Sequence, residues 1–278
     1  MSEKKIWLIT GCSSGFGLSL TEHALKKGDS VVATARDISK LSILESKYGD
    51  LVKTVSLDVI DSNQIAQSLD TALDAFGRID VVVNNAGYGL VGALEEYSDD
   101  QMHMNFNTNF WSAINLIRQC LPTLRNQKSG HIINISATAT IFNEVGFSIY
   151  GAAKAALEIA SESLCWELKP LGVKVTNVIP GPFRTDFINR SLKRADYHIE
   201  DYDQTSGKFI KFLENIDGKQ PGDPDKAAKA IIEIVNSANP PLYLYLGGYA
   251  YKAVNRKLNT MKNDIDQWED IGLHTDFK

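Results

Sequence analysis

Tyr150 and Lys154 lie four residues apart in a segment with a helical pattern, so their side chains share one face of the helix. A free phenol has a pKa near ~10 and exchanges protons slowly at neutral pH, but a nearby ammonium favours its ionised form. Such a pair can give a proton to a substrate oxygen or take one from a hydroxyl. The spacing alone is common, so this interpretation depends on the other motifs of the chain.

A glycine turn near the start of the chain is the second chemical feature. It reads Thr-Gly-Cys-Ser-Ser-Gly-Phe-Gly and lies between an apolar run and a helical pattern. Glycines let the backbone approach a pyrophosphate closely, and the N-terminus of the helix offers free N–H groups and the positive end of its dipole. The turn predicts a dinucleotide site built from Gly11, Ser13, Ser14, Gly15, Phe16 and Gly17.

The elements that must position these residues alternate between short β-rich runs and longer helical patterns. Capping patterns at Asp61 and Ser98 mark the starts of two of the helices. This alternation predicts βαβ units and a doubly wound α/β fold, with one parallel sheet covered on both faces. The predicted strands are 6–10, 31–35, 52–57, 81–83, 131–135 and 173–179, and the predicted helices are 18–27, 64–76, 101–124, 149–168 and 225–234.

Composition narrows the class of protein. The 278 residues are 44% hydrophobic, which is enough for one large domain over residues 1–278. The net charge of −5 gives no electrostatic indication of binding to nucleic acid or to an anionic membrane. The three cysteines are far apart, the five histidines lack metal-ligand spacing, and no apolar run approaches membrane-spanning length. We therefore expect a cytoplasmic protein with no bound metal.

Residues 189–223 are charged and less periodic than the rest of the chain. They are either a surface insertion or a mobile lid over a substrate, since long loops in such folds usually carry function.

Three motifs, in this order along the chain, resemble the classical short-chain dehydrogenase/reductase family. They are the Gly-x-x-x-Gly-x-Gly turn at Gly11, the Asn-Asn-Ala-Gly segment that ends at Gly87, and the Tyr-x-x-x-Lys pair. The resemblance covers nearly the whole chain and implies a Rossmann-type domain that transfers a hydride between nicotinamide and a carbonyl or alcohol. Within the family, the glycine turn and the Val-Ala-Thr-Ala-Arg segment resemble 17β-hydroxysteroid and retinol dehydrogenase-like enzymes and ketoreductases.

The resemblance also assigns roles to individual residues. Tyr150 is the general acid in reduction, Lys154 assists it and bonds the nicotinamide ribose, and Asn109 holds a water of a proton relay. Thr185 bonds the carboxamide of the nicotinamide. The remaining expected contacts are Asp58 and Val59 at the adenine, Asn85, Ala86 and Gly87 behind the ribose, and Pro180, Gly181 and Phe183 at the nicotinamide.

The end of the second strand favours NADP(H) over NAD(H). Ala35 stands where NAD-preferring relatives carry a carboxylate, and Arg36 follows it. A guanidinium can pair bidentately with the 2′-phosphate, and Ser14 could donate a further bond.

One expected residue is missing. The family serine that orients the substrate oxygen lies 13 residues before the tyrosine, and that position here is Ala137. Three interpretations follow: Ser136 or Thr138 takes the role, the chain is a natural or engineered variant with altered activity, or it binds cofactor without turnover. We take Ser136 as the candidate fourth catalytic residue.

These features predict an NADPH-dependent carbonyl reductase acting on a small-molecule ketone or secondary alcohol. The alternative is a catalytically weak NADPH-binding sensor, suggested by Ala137. A halohydrin-dehalogenase-like lyase fits less well, because those relatives lose the glycine turn. By resemblance, we expect a homodimer or homotetramer formed through helices near 101–124 and 149–168.

Overall fold

A computed structural model describes residues 4–277 of the chain. Within these residues one parallel sheet has the strand order β3-β2-β1-β4-β6-β7-β9, and a second, two-stranded sheet pairs β5 with β8. The strands are β1 (Ile6–Ile9), β2 (Ser30–Ala35), β3 (Val52–Ser56), β4 (Val81–Asn84), β5 (Gly89–Val91), β6 (Gly130–Ile135), β7 (Val173–Pro180), β8 (Leu192–Arg194) and β9 (Tyr243–Leu246).

Helices connect these strands and cover the main sheet. In the described part of the chain they are α1 (Gly15–Lys26), α2 (Ser42–Tyr48), α3 (Ser62–Phe76), α4 (Asp99–Phe106), α5 (Ser112–Gln127), α6 (Ser148–Leu168), α7 (Phe187–Arg190), α8 (Lys208–Ile216), α9 (Pro224–Val235) and α10 (Gly248–Leu273).

The alternation of side chains along each strand produces two hydrophobic cores. Trp7 and Ile9 pack on one face of the sheet with residues of α1 and α9. Leu8, between them, packs on the other face with residues of α3 and α5. Each of these three side chains is fully buried, as expected for strands whose two faces are both covered. This architecture confirms the predicted doubly wound α/β fold.

The predicted elements are found within a few residues of their expected bounds. Asp61 caps α3 by accepting hydrogen bonds from the N–H groups of Asn63 and Gln64, and Ser98 forms a capping box with Gln101. The predicted helix 101–124 is instead interrupted by a π-helical segment at Asn107–Trp111. The seventh strand of the main sheet, β9, was not predicted, because it is a short run that follows two prolines and precedes two glycines.

The segment 189–223 has more regular structure than its composition suggested. Its strand β8 pairs with β5, and its helix α8 follows a short π-helical turn. The Glu96 carboxylate, from the main body, accepts a hydrogen bond from the backbone N–H of Ile199 (3.0 Å). Ser98 donates its hydroxyl proton to Asp196 (2.6 Å). These bonds join the segment to the body at several points.

Candidate active site

The glycine turn joins β1 to α1 and leaves no room for a side chain at position 17. A Cβ atom on Gly17 would lie 2.3 Å from the carbonyl oxygen of Gly11 and 2.5 Å from Nδ2 of Asn85. Gly11 itself has a φ of +72°, which favours glycine. Ser14 precedes α1 without a capping bond from its side chain, so its hydroxyl and the first N–H groups of the helix are available to a ligand.

Asn85 holds this turn in place from the end of β4. Its Nδ2 donates to the carbonyl oxygens of Thr10 (2.7 Å) and Gly11 (3.1 Å). The backbone N–H groups of Asn85 and Ala86 both donate to Oγ1 of Thr10, each at 3.0 Å. The amide expected behind a ribose is therefore bound to the glycine turn, and it fixes the shape of that turn.

The loop after β7 packs on the same turn. The rings of Phe183 and Phe16 have centroids 5.1 Å apart. A Cβ atom on Gly15 would lie 3.5 Å from Cβ of Thr185. Pro180 ends β7, and the N–H of Gly181 donates to Leu246 of β9 (3.0 Å). Residues from two distant parts of the chain, both predicted to hold one cofactor, thus lie side by side.

The ends of β2 and β3 complete this edge of the sheet. Arg36 is exposed directly after β2, and it forms none of the ion pairs found within residues 4–277. The neighbouring Asp37 carboxylate accepts bonds from Ser39, which lower its pKa. Asp58 and Val59 are half-buried after β3. A narrow glycine turn and free N–H groups at the start of a helix together fit the pyrophosphate of a dinucleotide.

Tyr150 lies in the first turn of α6, and its side chain is only 6% exposed. The rings of Phe147 and Phe187 have centroids 5.4 Å and 6.0 Å from its own. Burial raises the pKa of Tyr150, and no neighbouring charge in the described chain lowers it. Burial thus favours the neutral phenol, and a lowering of this pKa by Lys154 together with a bound oxidised nicotinamide stays a prediction.

Lys154 lies one turn further along α6 and is also buried. Its Nζ donates to the carbonyl oxygen of Ile135 at the end of β6 (2.8 Å). Burial lowers its pKa to about 8, while the charge of Glu158 acts in the opposite direction. A Cβ atom on Gly87 would lie 3.3 Å from this Nζ, so the ammonium lies beside the Asn-Ala-Gly segment that borders the glycine turn.

Asn109 lies in the π-helical segment between α4 and α5. Its amide bonds the backbone of Tyr88 through both Oδ1 (3.3 Å) and Nδ2 (2.9 Å), and Nδ2 also reaches the carbonyl of Asn105 (3.1 Å). A small cavity of about 10 Å³ lies between Asn109, Lys154 and Thr10. That is close to the space that one water molecule needs.

Ser136 and its neighbours form a buried polar cluster. The Ser136 hydroxyl donates to Oε1 of Glu158, and the Thr140 hydroxyl donates to the same oxygen (2.9 Å). Burial raises the pKa of Glu158, although these hydrogen bonds and Lys154 oppose the shift. The Ser136 hydroxyl has only one proton, and Glu158 accepts it. Ala137 is extended and half-exposed, with no hydroxyl to offer.

Sequence reasoning missed Glu158 and a row of buried amides. Asn84, Asn134 and Asn177 lie in register across β4, β6 and β7. Nδ2 of Asn84 donates to Oδ1 of Asn134 (2.8 Å), and Asn134 donates to the Ser161 hydroxyl (2.8 Å). An asparagine in each of three buried strands was the available signal. These bonds help to hold β4, β6 and β7 in register at the edge of the sheet where the site lies.

No group of three or more His, Cys, Asp or Glu side chains within residues 4–277 could hold a metal ion. None of the helices in that range is both long and apolar enough to span a bilayer.

Comparison with known proteins gives the family. The model for short chain dehydrogenases matches residues 5–196. The chain is 36% identical to the oxidoreductase BOA17 of Botryotinia fuckeliana, with coverage of 97% of this chain and 98% of that protein. It is 34% identical to the 3-ketodihydrosphingosine reductase of Bacteroides thetaiotaomicron, with 88% of each covered. A solved short-chain dehydrogenase from Streptomyces avermitilis has a TM-score of 0.92 at 37% identity, over 99% of this chain and 100% of that one. The chain therefore belongs to the classical short-chain dehydrogenase/reductase family of oxidoreductases, as its three motifs predicted.

Proposed function

We propose that this protein is an NADPH-dependent reductase of a ketone, and the corresponding dehydrogenase of a secondary alcohol. One observation carries the proposal: Lys154 lies beside Gly87, close to the glycine turn, and one turn of α6 from Tyr150. A proton donor and a dinucleotide cradle thus share the edge of the sheet where its strands end. Ligands of open α/β sheets bind at that edge.

Several residues support NADPH as the cofactor. When bound, the reduced nicotinamide supplies the hydride. Arg36 would pair with the 2′-phosphate, because its guanidinium has no carboxylate partner in the described chain and Asp37 is held by Ser39. The Ser14 hydroxyl would donate a second bond, since it makes no cap of its own.

Tyr150 would give its phenolic proton to the carbonyl oxygen of the substrate. Burial favours the neutral phenol, which is the form that reduction needs. Lys154 would stabilise the phenolate that remains. A water in the small cavity between Asn109 and Lys154 would return the proton from solvent.

The site lacks a hydroxyl at the position where the family orients the substrate oxygen. Ala137 has none, and Ser136, our predicted candidate, donates to Glu158. Thr138 is half-exposed in the same turn. We propose that turnover proceeds without a strong donor at position 137, at a reduced rate.

Aromatic side chains favour a substrate with an apolar body. Phe147 contacts Tyr150 and also Phe209, with ring centroids 5.1 Å apart in the second pair. Phe209 belongs to segment 189–223, which we propose as a substrate lid within a single domain. Since Tyr150 is almost fully covered, a substrate must displace part of this aromatic cluster to reach it. The name of the related 3-ketodihydrosphingosine reductase is consistent with a ketone substrate.

We also propose the dimer or tetramer that the family resemblance implies. Large apolar side chains are exposed on α6 and beside α5. Trp111 is 57% exposed, Ile159 67% and Trp166 64%. A patch of this kind on a soluble protein marks a protein contact.

The test mixes the purified protein with NADPH and a panel of aryl, alicyclic and long-chain ketones and follows nicotinamide absorbance. We expect turnover in the wild type and a loss of about 10²–10⁴-fold in Tyr150→Phe, with NADPH binding retained. NADPH binding without turnover of any ketone would contradict the proposal and favour the sensor. Equal turnover in Tyr150→Phe would remove Tyr150 from its role.

A further inference from the structure

The C-terminal helix α10 projects from the body of the protein. Ala250 and Ala253 are buried at its root, and Tyr249 donates its hydroxyl proton to Glu144 (2.6 Å). Arg256 lies 4.1 Å from the centre of the Phe142 ring. Beyond this point every residue to Phe277 is exposed, and the free part of the helix, Lys257–Leu273, is about 25 Å long. Isolated helices are marginal in water, and most of their stability in proteins comes from packing.

One face of α10 carries a regular apolar stripe. Its members, spaced alternately by three and four residues, are Tyr251, Val254, Leu258, Met261, Ile265 and Trp268. Leu258, Ile265 and Trp268 are each between 57% and 58% exposed. Alternating steps of three and four are the a and d positions of a two-stranded coiled coil. The stripe therefore has the geometry to pack against another helix along its length.

The charges of α10 indicate which helix that is. Its four basic residues all precede position 263, and its four acidic residues all follow it. The basic ones are Lys252, Arg256, Lys257 and Lys262, and the acidic ones are Asp264, Asp266, Glu269 and Asp270. Two copies in opposite directions place each basic half beside an acidic half. The acidic half also disfavours an anionic membrane as the partner.

We propose that α10 binds α10 of a second copy of this chain as an antiparallel pair. Packing Leu258 of one copy against Met261 of the other brings Lys257 of each copy beside Asp264 of the other. Shifting the pairing by one heptad in either direction places two lysines or two aspartates together. A parallel pair would place Lys257 beside Lys262 and Asp264 beside Glu269. Charge therefore selects both the direction and the register.

The first test measures the mass of the full chain in solution by sedimentation equilibrium. Leu258→Asp/Ile265→Asp places two charges on the stripe, and Asn259→Asp/Asn263→Asp places the same two charges on the outer faces of α10. We expect the first variant to raise the dissociation constant of one association step by about 100-fold or more, and we expect the control to match the wild type. Identical masses for the two variants, or a wild type that is monomeric throughout, would overturn the proposal.

Charge reversal tests direction and register without changing the stripe. Lys257→Glu and Asp264→Lys should each weaken the association roughly tenfold, and the double variant should restore it. A parallel pair predicts the opposite, since each single change would then create an attractive pair. Failure of the double variant to restore association would contradict the register.

Binding to phosphatidylserine vesicles tests a membrane as the other possible occupant. If the wild type binds such vesicles, and Leu258→Asp/Ile265→Asp loses this binding with no change in mass, a membrane covers the stripe and the proposal is overturned.

Discussion

Ser136 donates its hydroxyl proton to the Glu158 carboxylate, which lies two turns along α6 from Tyr150. Thr140 donates to the same carboxylate oxygen. Three hydroxyls lie close in sequence to position 137, where the family serine is missing. Those of Ser136 and Thr140 are therefore already bonded in a buried cluster.

We expect Ala137→Ser to raise kcat for ketone reduction by about tenfold or more, because it adds a hydrogen-bond donor at the position that the family uses. Steady-state kinetics with the best ketone of the panel would measure this. Ala137→Cys is the matched control, since its side chain has a similar shape and is only a weak donor. An equal gain in both variants would attribute the effect to side-chain volume.

Arg36→Ala should raise the KM for NADPH by about 10- to 100-fold and leave the KM for NADH nearly unchanged. The physical reason is the loss of a charge-assisted bond to the 2′-phosphate, which NADH lacks. Lys40→Ala removes a nearby exposed cation that pairs with Asp37 and serves as the control. A preference of the wild type for NADH would contradict the assignment of Arg36.

Gly17→Ala should abolish dinucleotide binding and lower the free energy of unfolding by about 1–3 kcal/mol, because the new methyl group would collide with the Gly11 carbonyl. Urea denaturation and cofactor titration measure the two effects. Gly248→Ala has no atom within 4 Å of the added Cβ and should leave both properties close to wild type. Normal binding by Gly17→Ala would show that the turn can widen.

Lys154 should make stability depend on pH above neutrality. Its pKa is about 8 in the folded protein, against an ordinary value of 10.5. Between these values the unfolded chain binds more protons, so the folded state gains stability as pH rises from about 8 to 10.5. We expect this gain in the wild type relative to Lys154→Met, measured by urea denaturation at several pH values. Lys211→Met, an exposed control, should retain the gain, and an identical profile in Lys154→Met would contradict the lowered pKa.

Much of the fold could be predicted from the sequence because its signals are local. The glycine turn requires small residues at fixed spacings, the strands are short apolar runs, and Asp61 and Ser98 cap helices with bonds that span three residues. Tyr150 and Lys154 share a helix face for the same local reason. The α/β class and the order of the main helices follow from such local patterns, and the family follows from three short motifs in their order along the chain.

Tertiary structure alone decided the environment of each group. The bond from Asn85 to the glycine turn joins residues more than 70 positions apart, and the bond from Ser136 to Glu158 joins a strand end to the middle of a helix. The raised pKa of Tyr150 and the lowered pKa of Lys154 come from burial, which depends on the packing of the whole domain. Residue types and their spacing thus determined which chemistry is available, whereas long-range packing determined which hydroxyls are already bonded and which charges are buried.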